Sequence, residues 1–180
     1  MKIRNRIAGA VAVGAMAAAL SVVGGGVAHA GDPYLCAIKT SGKFYVEAAG
    51  GGGRATDVMY TDQRGIGVNS KFKLEPLGGL TYGLKTPDRQ HYVTAENSGG
   101  LTGANTPDVL HTNATILQDW EKFTLVPQGN DPQGNEIWGI KAFDGHYLTA
   151  IDGGGHSSYA FNSNATTVRA WEQFTLECGQ

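Results

Sequence analysis

Gly145-His146-Tyr147-Leu148-Thr149-Ala150, followed two residues on by Gly153-Gly154-Gly155, occurs in three versions along this chain. Gln90-His91-Tyr92-Val93-Thr94-Ala95 precedes Gly99-Gly100, and Lys43-Phe44-Tyr45-Val46-Glu47-Ala48 precedes the run Gly50 to Gly53. Each version alternates apolar and polar positions like a half-buried strand and stops at a glycine cluster. Working outward, a short strand ending in lysine stands before each: Ala37-Ile38-Lys39, Gly83-Leu84-Lys85 and Gly139-Ile140-Lys141. A Phe-x-Leu strand closes each: Phe72-Lys73-Leu74, Phe123-Thr124-Leu125 and Phe174-Thr175-Leu176. Thirteen residues before the closing Phe stand Met59, Leu110 and Phe161, and six before it stand Ile66, Leu117 and Val168. The period is about 50 residues, a repeat architecture with apolar positions at equal offsets. Each unit reads as four short strands. Twelve strands from three units predict an all-β fold, a β-trefoil, in which six strands close a barrel and six cap it as hairpins.

Copies two and three add a second signature, Trp120-Glu121-Lys122-Phe123 and Trp171-Glu172-Gln173-Phe174, where copy one has Asn69-Ser70-Lys71-Phe72. A Tyr-Leu/Val-x-Ala strand, a Gly-rich turn and Trp-Glu-x-Phe-x-Leu together resemble the fascin-like β-trefoils of the actin-crosslinking-like superfamily. The resemblance covers residues 34–178, with repeats at about 34–77, 82–127 and 137–178. Fascin carries four such domains in tandem and bundles actin filaments, so the resemblance implies an actin-filament or other protein partner as one reading. Isolated secreted domains of this kind look like accessory modules of glycan-degrading enzymes, which implies carbohydrate, by analogy. Gln118-Asp119-Trp120 also fits the Gln-x-Trp of ricin-type lectins. The matching triplets, Gly67-Val68-Asn69 and Arg169-Ala170-Trp171, do not, and the fit is read as coincidence.

The first thirty residues fall outside the repeats. Lys2, Arg4 and Arg6 are followed by an uncharged apolar run from Ile7 to Val23 and by Ala28-His29-Ala30. This is the pattern of a cleaved secretory signal peptide rather than of a membrane anchor, and it predicts a secreted, extracellular protein. Residues 31–180 then form one domain, long enough to bury a sizeable core. Three of the 14 basic residues lie in the signal, so eleven remain against sixteen acidic ones, a net charge of −5. That balance argues against nucleic acid and against anionic membranes as partners. The two cysteines, Cys36 and Cys178, stand near the ends of the mature part. In an exported domain they predict a disulfide, possible only if the first and last strands are neighbours.

No nucleophile elbow, P-loop, Cys-x-x-Cys or His-Glu-x-x-His is present, and the expectation is a protein that is not an enzyme and holds no cofactor. Asp152 and His156 flank a glycine run, but no third metal ligand is visible, so no metal is expected. Asn113-Ala114-Thr115 and Asn164-Ala165-Thr166 match the glycosylation sequon, and their equivalent places point to an Asn-led turn. Lys39, Lys85 and Lys141 are expected to be solvated beside core positions. The tyrosines Tyr45, Tyr92 and Tyr147, the closing phenylalanines, Trp120 and Trp171 recur by repeat and are expected in the core. Sugar binders set an aromatic face against the ring and add polar groups to orient hydroxyls. The turns supply such sets: Asp152, His156, Tyr159 and Asn162 in copy three; Asn97, Asn105 and His111 in copy two; Asp57 and Tyr60 in copy one. The reading is a non-catalytic module that recognises extracellular glycan through these turns.

Overall fold

The computed structural model describes residues 32–56, 58–103 and 108–179. The segment expected to be a signal peptide, Asp57 and Asn105 lie outside them. Copy one supplies β1 (Leu35–Thr40), β2 (Tyr45–Ala48), β3 (Met59–Gln63) and β4 (Lys71–Gly78). Copy two supplies β5 (Thr81–Lys85), β6 (Tyr92–Ala95), β7 (Leu110–Ala114) and β8 (Lys122–Asn130). Copy three supplies β9 (Glu136–Lys141), β10 (Tyr147–Ala150), β11 (Phe161–Ala165) and β12 (Gln173–Cys178). Each strand pairs antiparallel around a closed path, β1-β4-β5-β8-β9-β12 and back to β1. The remaining strands form the hairpins β2-β3, β6-β7 and β10-β11. This is the β-trefoil that the triple offsets predict. Among the described residues no helix is long and apolar enough to cross a membrane.

The core follows the repeat. Phe72, Phe123 and Phe174 are buried in the barrel strands, with Ile38, Leu84 and Ile140 from the strands that open each copy. Met59, Leu110 and Phe161 come in from the hairpins, with Val46, Val93 and Leu148. The bridge Cys36–Cys178 closes the seam, where the two residues face each other in the β1–β12 register.

Two expected core sets lie elsewhere. Trp120 and Trp171 are 42% and 47% exposed. Each stands mid-way in a 3-10 turn, Asp119–Glu121 or Ala170–Glu172, that directs the glutamate inward and the indole outward. Leu117 and Val168 are only half-buried and lie over the backbone of β5 and β9. A side chain at Gly83 would stand 2.2 Å from Leu117 Cδ1, and one at Gly139 would stand 2.8 Å from Val168 Cγ2. These aliphatics therefore cover the barrel wall instead of filling its axis.

The glycine turns join neighbouring copies in a ring. Gly53 N–H donates to the Thr112 carbonyl at 2.7 Å, Thr112 N–H to the Arg54 carbonyl at 2.8 Å, and Arg54 N–H to the Thr112 hydroxyl at 3.1 Å. Gly100 and Leu101 make the same three bonds with Ser163, and Gly155 and His156 make them with Thr61. Copy one thus grips copy two, two grips three, and three grips one. Thr61, Thr112 and Ser163 are fully buried, and these bonds satisfy their hydroxyls.

Candidate functional site

Gly50, Asn97 and Asp152 occupy equivalent places in the three-residue turns that follow β2, β6 and β10, at φ 63°, 54° and 53°. Glycine, asparagine and aspartate are the residues that tolerate this left-handed backbone. The Asp152 carboxylate is exposed and stands 3.2 Å from His156 Nε2. No group of three metal-ligating side chains occurs among the described residues.

Tyr60, His111 and Asn162 also prove equivalent, each second in the outer hairpin strand. His111 Nδ1 lies 3.1 Å from Glu96 Oε2, and Asn162 Oδ1 accepts the Gly103 N–H at 2.9 Å. These polar atoms hold the turns together. Tyr159 stands apart. The residue is 57% exposed and its backbone is left-handed, at φ 47°. The positions that match it are Asp57 and Asp108.

His91 and His146 have structural partners as well. Each Nδ1 lies 2.6 Å from a carboxylate, Asp88 or Asp144. Each ring sits beneath the last glycine of the preceding copy's turn, Gly53 or Gly100, and Phe44 takes that place under Gly155. Burial opposes ionisation of Asp88. The N–H of Gln90, the Thr86 hydroxyl and His91 outweigh it and hold the carboxyl down at about 2.

Lys39, Lys85 and Lys141 lie over the rings of Tyr45, Tyr92 and Tyr147, with Nζ at 4.9, 5.0 and 5.9 Å from the centroids. They are half-buried rather than fully solvated. In two cases a glutamate completes the group. Glu177 accepts from Lys39 at 3.0 Å and from the Tyr45 hydroxyl at 2.8 Å. Glu177 and then Tyr45 raise the Lys39 ammonium above its ordinary value. Glu75 accepts from the Tyr92 hydroxyl at 2.8 Å, beside Lys85 at 3.9 Å. Burial first, and Glu75 second, push the Tyr92 phenol up. Copy two ends in Val126 at the position of these glutamates, so Lys141 and Tyr147 have no such acceptor there. Lys39 and Lys85 thus each join their own tyrosine to a glutamate of the preceding copy, and the three lysines do not form a shared anion site.

The exposed indoles border open grooves. That at Trp120 has a volume of about 860 Å³ and is bounded by Asn113, Ile116, Gln118 and Asp119. That at Trp171 is about 340 Å³ and is bounded by Arg169 and Ala170. Copy one offers Val68 and Asn69 instead. These shelves are not legible in the repeat pattern, where a recurring tryptophan reads as core. The signal available was the neighbouring glutamate: one of the pair faces inward, and the sequence does not say which.

Comparison with known proteins supplies the fold and no family. No known family profile matches the chain, and no curated protein matches it. A designed 3-fold symmetric protein, ThreeFoil, superposes with a TM-score of 0.61 at 12% identity, over 79% of this chain and 96% of that one. The SDF2-like protein from Arabidopsis thaliana superposes at 0.57 and 11% identity, over 79% and 91%. A mosquitocidal holotoxin superposes at 0.61 and 10% identity, where 81% of this chain spans only 17% of the toxin. At such identities the likeness concerns architecture alone.

Proposed function

We propose that this is a secreted, non-catalytic module that binds extracellular carbohydrate through the turn of copy three. Tyr159 carries the reading. Left-handed backbone costs a bulky residue about 1–2 kcal/mol, and an exposed ring regains little of it by packing. Strain of this kind gathers at ligand contacts. An exposed phenol ring suits the apolar face of a sugar, and Asp152 and His156, in the same turn, offer polar atoms for its hydroxyls. The likeness to fascin-like domains that accompany glycan-degrading enzymes supports the same ligand class by analogy. The absence of strong sequence signals for catalysis is consistent with a binding role, and the signal peptide and terminal cysteine pair suit an extracellular setting.

Affinity electrophoresis of the mature protein through gels containing soluble glucans, xylan or chitin fragments, run beside actin cosedimentation, tests the proposal. Retardation by at least one glycan is expected, reduced in Tyr159→Ala. Pelleting with filamentous actin and retardation by no glycan would replace it with the protein-binding alternative.

A further inference from the structure

We propose a second carbohydrate site in copy two, centred on Trp120, with Trp171 as a weaker pseudo-equivalent. Its ligand is a run of neutral pyranose units. The inference takes its ligand class from the preceding reading but does not depend on Tyr159.

The fold does not require an indole at this position. Copy one places Asn69 there, and its turn Val68–Ser70 forms in the same place. Trp120 nevertheless stays 42% exposed beside the larger groove. An indole held on a short 3-10 turn is a rigid shelf, because the neighbouring glutamate anchors the turn. Glu121 accepts the Thr94 hydroxyl and the Gln118 N–H, both at 2.8 Å. The site is thereby preorganised, which limits the ordering cost of binding.

Polar groups around the shelf select the ligand. Asn113 and Gln118 are exposed amides that can both donate and accept, as sugar hydroxyls require. Asp119 is the exposed anion of the groove, and Lys122 neutralises it at 2.7 Å. Glu121 is buried and its carboxylate is engaged. Lys122 is spent on Asp119, and the charge that remains, on the buried Glu121, is negative and held by neutral donors, which disfavours uronic acids and leaves neutral sugars favoured. A volume of about 860 Å³ lies within the range of ordinary small-molecule sites. Copy three keeps the indole but exchanges Gln118 for Arg169 and Asp119 for Ala170 and has the smaller groove. Copy one has lost the indole. The three copies thus form a graded series: full, partial and absent.

Tryptophan emission excludes Tyr159 itself and comes from Trp120, Trp138 and Trp171 together, so the tryptophan variants assign any change to its site. Titration of the mature protein with laminarihexaose, cellohexaose, xylohexaose and chitohexaose is expected to shift or quench the emission with at least one of them. Trp120→Ala weakens that ligand about tenfold, and Trp171→Ala much less. Thermal unfolding of both variants verifies that they fold, and Trp120→Phe, which keeps a ring, retains part of the affinity. Tyr159→Gly leaves the emission change intact, so loss of the turn site and loss of this one are separately visible. Unchanged emission with all four sugars at millimolar concentration overturns the proposal. So does an emission change that survives Trp120→Ala undiminished.

Discussion

Glu121 and Glu172 are almost wholly buried, and each finds its partners within its own repeat. Thr94 and Thr149 donate hydroxyl hydrogen bonds at 2.8 and 2.7 Å, and the N–H groups of Gln118 and Arg169 add another at 2.8 Å each. Copy one solves the same problem with the residues exchanged. Glu47 stands at the threonine position and Ser70 at the glutamate position, 3.2 Å apart, and Gly67 N–H donates to the Ser70 hydroxyl. Ser70→Glu alone sets two carboxylates against each other and should cost about 2–4 kcal/mol. Adding Glu47→Thr should restore most of that, since the pair then copies the other repeats. Urea unfolding of the two single variants and the double variant measures the coupling. Asp88 makes a pH prediction. Its folded value, about 2, lies below the ordinary 3.8, so its contribution is complete above pH 4 and disappears as pH falls toward 2. The difference in stability between the native protein and Asp88→Asn should shrink across that window, by up to about 2 kcal/mol. The sequence could not place these groups. Trp-Glu reads as one buried and one exposed residue, and hydrophobicity chooses wrongly because the fold supplies hydrogen bonds to the carboxylate.

The elements were legible where periodicity speaks. Tyr-x-x-Ala strands, Phe-x-Leu strands and the offsets of Met59, Leu110 and Phe161 all land where the repeat puts them. Which residues of a turn face outward was not legible, because it depends on contacts between copies. The glycine turns show this dependence. Gly154 has φ 110°, and a Cβ there would stand 2.7 Å from the buried Thr40 hydroxyl. Gly79 has φ 56° in a hairpin turn, with open space around it. Gly154→Ala should cost about 2–4 kcal/mol and Gly79→Ala about 1 kcal/mol, measured by thermal or urea unfolding. Tyr159→Gly should do the opposite. It releases left-handed strain and should stabilise by about 1 kcal/mol while weakening glycan retardation, the trade expected of a residue kept for binding.

Across the whole molecule, each copy depends on the next. The ring of turn-to-hairpin bonds leaves every repeat with unpaired donors and acceptors once a neighbour is removed, so unfolding should be a single cooperative event. The Cys36–Cys178 bridge closes that ring covalently. Ellman's reagent on the denatured, unreduced protein should find no free thiol. Reduction should lower stability by about 2–5 kcal/mol while the far-ultraviolet circular dichroism stays that of a β protein. The seam also shapes how the domain bears load. A pull applied through residues outside the bridge runs from sulfur to sulfur and never reaches the barrel, so the folded domain acts as a rigid shackle. Once the thiols are freed, the same pull strips β12 from β1 rung by rung, and the 142 residues of separation can lengthen the tether by roughly 500 Å.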